Sequence, residues 1–494
     1  MKHSRPEKPC WQVSIIPFLV LVALLACVIS IFGADALDGA SQMSLLFASG
    51  VAVAIAMLGY KVTWDRIEHA IADNIRSIGT AVIVLLLIGA IAGSWMVSGI
   101  VPTLIFYGLK VITPKLFLFA VCLICALVSL MTGSSWTTVA TIGVAMTGIG
   151  MALGYSMGWT AGAVISGAYF GDKISPLSDT TVLASSTTGT PLFTHIRYMM
   201  VTTTPSFVIT CMIFLIVSLL HPVTDAVQVA DVSGALNETF HISLWLLIVP
   251  AVTAVLIARK VPALLTLFIS ALLAGVAALI AQPDIISGIA GVSGDNAASF
   301  RDLFKGLMIS YYGETAVQTS NESLNALIST GGMTGMLNTI FLVICGATFG
   351  GSLTGSGMIQ SITERLTRLI KGRTSLVASS VASGVFSDMI TGDQYLSIIL
   401  TCSLFKDLYR DNGYEPRLLS RSVEDSATVT SVLIPWNSCG MTQATVLKVP
   451  TLEYLPYCFF NILSPFMSIL IAALGYKICR TLPQREPAES FQTE

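Results

Sequence analysis

Residues 167–186 read GAYFGDKISPLSDTTVLASS, and this stretch decides how the chain folds. It places Asp172, Lys173 and Asp179 in a chain that is otherwise strongly apolar. A charged side chain at the centre of a bilayer costs about 2.5–3.5 kcal/mol on insertion scales, and such residues are usually functional. Pro176 lacks a backbone donor and predicts a break in the helix. The alternative is a polar loop at the membrane surface.

The composition indicates a membrane protein with many spans. The chain has 494 residues, of which 54% are hydrophobic and only 11% are charged. Many windows of about 20 residues are apolar enough to cross a bilayer. We therefore predict an all-α polytopic membrane protein whose first span follows the basic N-terminus. The net charge of −2 gives no reason to expect a nucleic-acid partner.

An internal repeat connects the opening stretch to the second half of the chain. Thr132-Gly133 recurs as Thr391-Gly392, and Pro176 recurs as Pro435, each displaced by 259 residues. Gly93-Ser94 and Ser98-Gly99 recur as Gly351-Ser352 and Ser356-Gly357, displaced by 258 residues. Each pair alone would be chance, but together they keep their order and spacing. We predict a re-entrant hairpin at each Thr-Gly pair and a broken helix at each proline.

The distribution of Lys and Arg predicts how the chain is oriented, because cytoplasmic loops are enriched in both. They concentrate at residues 1–8, 61–78, 259–260, 359–373, 406–421 and 477–485. The loops 34–42 and 221–240 contain neither, and we predict that both lie outside the cell. Successive loops must alternate between the two sides of the membrane, and this alternation places the loop 282–337 outside as well. Both termini are predicted to be cytoplasmic.

This orientation makes the two copies of the repeat inverted relative to each other. The predicted units are a first transmembrane repeat over 1–220, a linker outside the cytoplasm over 221–241, a second repeat over 242–480 and a cytoplasmic tail over 481–494. Inverted repeats with broken helices are typical of secondary transporters, whose site lies near the midplane of the membrane. A channel is a weaker hypothesis, because an asymmetric site on an inverted repeat suits alternation better than a pore.

The polar residues at the hairpin tips and helix breaks are the candidate ligands. Asp179, flanked by Ser178 and Thr180, offers hard oxygen atoms that suit Na⁺ and is also able to carry a proton. Asp393 lies at the second hairpin tip, and a Na⁺ site at Asp179 and Asp393 is the resulting hypothesis. The other candidates are Asp172, Lys173, Thr132, Ser134, Ser135, Asp388, Asp425, Asn437 and Ser438.

Structural roles compete with each of these assignments. Asp179 and Asp393 are also good helix-capping residues. Asp172 and Lys173 are predicted to form a buried ion pair, either structural or a switch. Glu424 and Asp425 follow the basic cluster 417–421, so a surface salt bridge is their alternative. Trp136 and Trp436 are expected to pack against the tips.

Three motifs resemble those of a known family. FGDKISPLSDTT at 170–181, IPWNSCG at 434–440 and VPTLEYLPYCFFN at 449–461 are similar to the NhaC family of bacterial Na⁺/H⁺ antiporters, within the larger ion-transporter group. The resemblance extends from about Val13 to Tyr476. It implies a secondary antiporter that exchanges Na⁺ or Li⁺ for H⁺ across the bacterial cytoplasmic membrane. Analogy with related carriers of the ion-transporter group adds a homodimer as an expectation. Some NhaC-like proteins exchange small organic anions or amino acids, which is the alternative.

No enzyme or cofactor motif accompanies these features. Cys122 and Cys125 have the spacing of a redox pair, but they lie in an apolar segment where core packing is the better interpretation. The five histidines show no metal-ligand spacing. No nucleophile–base pair and no phosphate-binding loop is recognisable. We expect a protein that is not an enzyme and binds no cofactor, with Na⁺ and H⁺ as transported ions.

Overall fold

Helices make up almost the whole of the described chain. The computed structural model describes residues 9–32, 39–220, 226–259, 261–292, 299–320, 324–325, 328–368, 370–478 and 480. Among these residues β-pairing is limited to two isolated bridges, Thr315 with Thr330 and Tyr414 with Arg480. The predicted termini at 1–8 and 481–494, and most of the predicted outer loop 34–42, lie outside the described residues.

The first half of the chain contains thirteen helices in this description. They are α1 Trp11–Ser14, α2 Ile16–Phe32, α3 Ala40–Ala54, α4 Trp64–Ser77, α5 Gly79–Val97, α6 Ile100–Val111, α7 Phe117–Thr132, α8 Ser135–Thr138, α9 Val144–Ala152, α10 Met157–Ile174, α11 Asp179–Thr188, α12 Leu192–Leu220 and α13 Ala226–Thr239. The last of these falls in the predicted linker, whose residues 221–225 are not described.

The second half follows with twelve more. They are α14 Ile248–Ala258, α15 Ala263–Ala281, α16 Pro283–Ile289, α17 Phe300–Tyr312, α18 Leu337–Gly355, α19 Met358–Thr367, α20 Arg373–Thr391, α21 Gln394–Asp411, α22 Pro416–Val423, α23 Ser438–Leu447, α24 Thr451–Tyr454 and α25 Phe459–Leu474. Three π-helical turns, Ile55–Gly59, Val139–Gly143 and Glu424–Thr428, extend or join α-helices.

Seven of the described helices are long and apolar enough to cross a membrane, and nine if each of two bent pairs is one span. They are Trp11–Phe32, Ala40–Gly59, Trp64–Val97, Pro114–Thr132, Leu192–Leu220, Leu264–Ala281 and Thr334–Gly355. The protein is therefore a multi-pass, all-helical membrane protein, as the composition predicts. The inversion of the two repeats stays a prediction.

The predicted long loop 282–337 is wrong as a description of local structure. It contains α16 and α17, and α17 packs on α5. A Cβ atom on Gly93 of α5 would lie 2.0 Å from the backbone oxygen of Ser310, so only glycine permits this approach. The polar segment after α17 turns inward, where Thr315 and Thr330 are buried. Scattered polar residues hid this segment from a search for apolar periodicity. Its side of the membrane stays a prediction.

Close packing of α10 on α7 sets the position of the site. Cβ atoms on Gly167 and Gly171 would lie 2.2 Å from the backbone oxygen of Cys122 and 2.3 Å from that of Ala126. Two glycines four residues apart form a flat strip that lets helices approach in a membrane. Cys122 and Cys125 are fully buried in this contact, which confirms that they pack in the core.

Candidate functional site

The first hairpin turns at Gly133, between α7 and α8. Gly133 has a left-handed φ of 67°, which glycine adopts without strain. The hydroxyl group of Thr132 organises the turn: it accepts from the backbone N–H of Ser134 at 3.3 Å and lies 3.2 Å from the Oγ1 atom of Thr138. Thr138 donates back to the Ser134 carbonyl at 2.9 Å. The predicted tip is therefore a closed turn whose hydroxyl groups bond within it.

The second hairpin repeats this pattern between α20 and α21. Gly392 also has a φ of 67°. Thr391 accepts from the backbone N–H of Asp393 at 3.2 Å and lies 2.9 Å from the Oγ atom of Ser397. Ser397 donates to the Asp393 carbonyl at 2.8 Å. Each of these residues lies 259 positions after its counterpart in the first tip, so the repeat extends to individual hydrogen bonds.

The first helix break follows α10 and packs on the first tip. α10 ends at Ile174 and α11 begins at Asp179, with Pro176 between them. A Cβ atom on Gly133 would lie 2.6 Å from the Cβ atom of Leu177, so tip and break are in direct contact.

Asp172 joins the break to the tip. Its Oδ2 atom accepts two hydrogen bonds from Ser135, at 3.0 Å from the backbone nitrogen and 2.7 Å from the hydroxyl oxygen. The carboxylate thus caps the helix that starts at the tip, where negative charge is favourable. The structure contradicts the predicted pairing of Asp172 with Lys173, because Lys173 points to another helix. Adjacent residues on a helix point about 100° apart, so they do not face each other.

Asp179 lies in the first turn of α11 and is exposed. Its neighbours Ser178 and Thr180 are buried and share a hydrogen bond of 3.0 Å between their hydroxyl oxygens. Ser178, and not Asp179, occupies the capping position. Within the described residues no hydrogen bond or ion pair engages the Asp179 carboxylate, so this group is available to a ligand.

Asp393 caps the second tip and also reaches the second break. Its Oδ1 atom accepts from the backbone N–H of Leu396 at 3.0 Å, so the predicted capping role is present. Its Oδ2 atom lies 3.4 Å from the hydroxyl oxygen of Ser438, the first residue after the break. Ser438 also donates its backbone N–H to the Gly392 carbonyl at 2.8 Å.

A further carboxylate, that of Asp388 on α20, lies against the second break. Helical structure before the break ends at Leu433, and α23 begins at Ser438, with Pro435 between them. Asp388 is fully buried and accepts from Thr430 at 2.8 Å, whereas its other carboxylate oxygen has no hydrogen-bond partner among the described residues. Asn437 caps α23 and donates to the Asp388 backbone carbonyl at 3.1 Å.

The two tryptophans that follow the tip and the break differ in their contacts. Trp136 is buried, and its indole N–H has no hydrogen-bond partner among the described residues. Trp436 is partly buried and donates to the Met389 carbonyl at 2.6 Å. Both pack beside a hairpin tip, as expected.

Tyr395, in the first turn of α21, connects the two halves. Its side chain lies within electrostatic range of the carboxylates of Asp172, Asp179 and Asp393. No pattern in the sequence singled it out, since a tyrosine in a membrane helix is common. Its position brings the first break and the second tip to one region of the protein.

A second cluster of charged side chains lies around Lys173. The Lys173 ammonium donates to the Oδ1 atom of Asp425, and both side chains are fully buried. Thr202 donates to the same oxygen at 3.0 Å. Arg421 lies with its Nε atom 3.8 Å from the other carboxylate oxygen of Asp425. Asp425 thus receives two cations, which compensates the burial of its charge.

The alternative of a surface salt bridge for Glu424 and Asp425 is wrong, because both side chains are fully buried. Arg421 and Glu424 are fully buried, as is His195, whose Nδ1 atom lies 2.8 Å from the Ser420 hydroxyl oxygen. Glu424 forms no salt bridge within the described part of the chain. The spacing of Arg421 and Asp425, four residues apart on one helix, would have indicated their pairing. Nothing in the sequence pointed to His195.

Known proteins resemble this chain over most of its length. The Na⁺/H⁺ antiporter family matches residues 9–190 and 167–476. The Na⁺/H⁺ antiporter NhaC of Alkalihalophilus pseudofirmus is 38% identical over 84% of this chain and 86% of that protein. NhaC of Bacillus subtilis is 35% identical over 86% of this chain and 91% of that protein. The malate-2H⁺/Na⁺-lactate antiporter of Bacillus subtilis is 34% identical over 96% of this chain and 97% of that protein.

Proposed function

This chain belongs to the Na⁺/H⁺ antiporter family, and we propose that it is a secondary active antiporter that exchanges Na⁺ or Li⁺ for H⁺ by alternating access. The observation that carries the proposal is the arrangement of carboxylates around two hairpin tips and two helix breaks, with Asp179 at the first break and Asp393 at the second tip. Such breaks are typical of transporters that bind ions at membrane depth. The function is that of a transporter and not of an enzyme.

The first half offers the cation its carboxylate. Asp179 is exposed, lies beside the hydroxyl groups of Ser178 and Thr180, and has no competing hydrogen bond or ion pair among the described residues. A carboxylate must lose its proton to bind Na⁺, so the two ions compete for one group. Asp172 has the supporting role, because its bonds to Ser135 fix the tip that faces Asp179.

The second half supplies further acidic groups. Asp393 and Asp388 are buried and only partly satisfied by their hydroxyl neighbours. Carboxylates that share a poorly hydrated region titrate as a coupled set. We assign proton binding to this set together with Asp179, so that arrival of Na⁺ expels a proton.

Movement would carry each tip together with its own break. Gly133 contacts Leu177 in the first half, and Gly392 is hydrogen-bonded to Ser438 in the second. Each tip thus contacts its own break, and we expect the halves to slide against each other around the region near Tyr395. Neutralisation of the site by either ion would permit this step.

Proteoliposomes with an internal pH dye test the proposal. Addition of Na⁺ or Li⁺, but not K⁺, should move protons in vesicles that contain the protein and not in empty vesicles. A matched control is the exposed carboxylate Asp65 of α4, changed to Asn, which should leave the signal unchanged. Absence of any cation-driven signal from folded protein would contradict the proposal.

An organic solute is the second candidate cargo, because the malate-2H⁺/Na⁺-lactate antiporter matches nearly the whole chain. Adding malate, lactate or amino acids to the same vesicles distinguishes the two. A response to Na⁺ alone supports cation exchange, and a response that needs the solute supports the second cargo. Residence in a bacterial cytoplasmic membrane, cytoplasmic termini and a homodimer belong to the proposal and rest on the loop charges and on analogy.

A further inference from the structure

A separate cavity of about 520 Å³ opens between α12, the start of α22 and the end of α25. Three cationic side chains line it, Arg197, Arg417 and Lys477, together with Tyr198. Among the described residues, no acidic side chain lies in the lining. None of the lining residues belongs to the tips or the breaks described above, so this cavity is distinct from the ion site.

The charges in the cavity are only partly compensated. The Nε atom of Arg417 lies 2.5 Å from the carboxylate of Glu415, and both side chains are partly exposed. Arg197 is exposed and forms no salt bridge within the described residues. Arg197 and Arg417 place two guanidinium groups in the lining against the one carboxylate of Glu415, which leaves a net positive charge from this pair of arginines.

We propose that this cavity binds a phosphate-bearing anion. Guanidinium groups present paired N–H donors that match phosphate oxygens, and two of them line this cavity. A basic pocket between membrane helices also suits a lipid headgroup. Phe193 lines the same cavity and is 72% exposed, which places an apolar surface beside the charged one. The anion is therefore either the phosphate of a lipid headgroup or a free phosphate, and either one would contact the same two arginines.

Occupancy would stabilise the helices around the cavity. The Tyr198 ring forms its wall and lies 5.2 Å from the Arg417 guanidinium and 4.9 Å from the buried Arg421 guanidinium. An anion held by Arg197 and Arg417 would fix α12 relative to α22 through this ring. The expected effect is a higher melting temperature of the full-length protein.

Thermal unfolding of the purified protein in neutral detergent, followed by tryptophan fluorescence, tests the proposal. The probes are short-chain phosphatidylglycerol, pyrophosphate and malate at equal ionic strength, with phosphatidylcholine as the net-neutral control. Phosphatidylglycerol or pyrophosphate should raise the melting temperature saturably. Stabilisation by the lipid alone assigns a headgroup, and stabilisation by pyrophosphate assigns a free phosphate.

Two variants and a control decide whether the cavity is responsible. Arg197→Gln and Arg417→Gln should raise the half-saturating probe concentration at least tenfold, whereas Arg410→Gln, an exposed arginine elsewhere on α21, should not. Arg197→Gln leaves the pair of Arg417 and Glu415 intact, so a folding defect does not obscure it. The proposal is overturned if neither phosphate probe stabilises the protein, if malate acts equally well, or if Arg197→Gln behaves as the unmodified protein.

Discussion

Lys173 of α10 donates a hydrogen bond to Asp425, which lies 252 residues later in the π-helical turn after α22. Both side chains are fully buried. The two broken helices of the chain are thus joined by one charged pair. Removal of one partner from a buried pair costs about 3–5 kcal/mol, because the remaining charge has no compensation.

Lys173→Met should therefore lower the melting temperature of the protein strongly, and Asp425→Asn should do so as well. The double variant should be more stable than the sum of the two single effects predicts, because it removes both charges of the Lys173–Asp425 pair together. Arg421 stays beside position 425 in every case and makes the Lys173 variant the milder one. Unfolding followed by fluorescence gives the melting temperatures of the unmodified protein, the two single variants and the double variant. If the losses of the single variants add up to the loss of the double variant, the two side chains do not stabilise each other.

Asp179→Asn should lower the rate of Na⁺-driven proton release at least tenfold. The melting temperature of the protein should change little. Asn keeps the size of the side chain but carries no charge and no exchangeable acid proton. The position is exposed and makes no hydrogen bond within the described residues, so the folded state loses little. The check is the dye assay per folded transporter, and normal exchange by this variant would remove Asp179 from the cation site.

Asp393→Asn should change the pH profile of apparent Na⁺ affinity between pH 6 and 9. Protons compete with Na⁺ for carboxylates, so affinity falls as pH falls, and loss of one carboxylate should make this dependence shallower. Asn still caps α21, whereas Asp393→Ala loses the bond to the Leu396 N–H and about 1 kcal/mol of stability. If Asp393→Asn keeps the full pH dependence and only Asp393→Ala lowers the yield, Asp393 is a structural cap.

Pro176→Ala and Pro435→Ala should both slow transport. Each change restores a backbone N–H and lets a helix continue through the break. The measurement is the initial rate of Na⁺-driven proton release at saturating Na⁺. If only one variant is slow, the two breaks are not equivalent parts of the site.

Gly133→Ala should destabilise the protein more than Gly392→Ala. Both residues have a φ of 67°, so each alanine carries a similar backbone strain of about 1–2 kcal/mol. A Cβ atom at 133 would also lie 2.6 Å from the Cβ atom of Leu177, whereas the nearest atoms at 392 are 3.5 Å away. Melting temperatures of the two variants give the comparison, and equal losses would mean that Leu177 moves freely.

The apolar composition predicted the helical class. The positions of glycine and proline predicted the two tips and the two breaks, because both residues determine the backbone conformation at their own position. The sequence did not predict the partner of Lys173, because contact between α10 and the π-helical turn after α22 depends on tertiary packing over a long separation in sequence. The surface interpretation of Arg421 failed for the same reason: a cluster of basic residues indicates a loop, but the structure buries its last member. The cavity at Arg197 left no local signal at all.

In each tip, the threonine before the glycine accepts a hydrogen bond from the backbone N–H of the residue after the glycine, so this bond does not depend on that residue's side chain. That residue is Ser134 in the first tip and Asp393 in the second, while the residues at the matching positions after the breaks are Asp179 and Ser438. The first half has its serine at the tip and its aspartate after the break, whereas the second half has them the other way round. Both tips keep the same left-handed φ of 67° at their glycine. A carboxylate can therefore be moved between a tip and its break by two substitutions, one at each position, while the backbone that holds both stays the same.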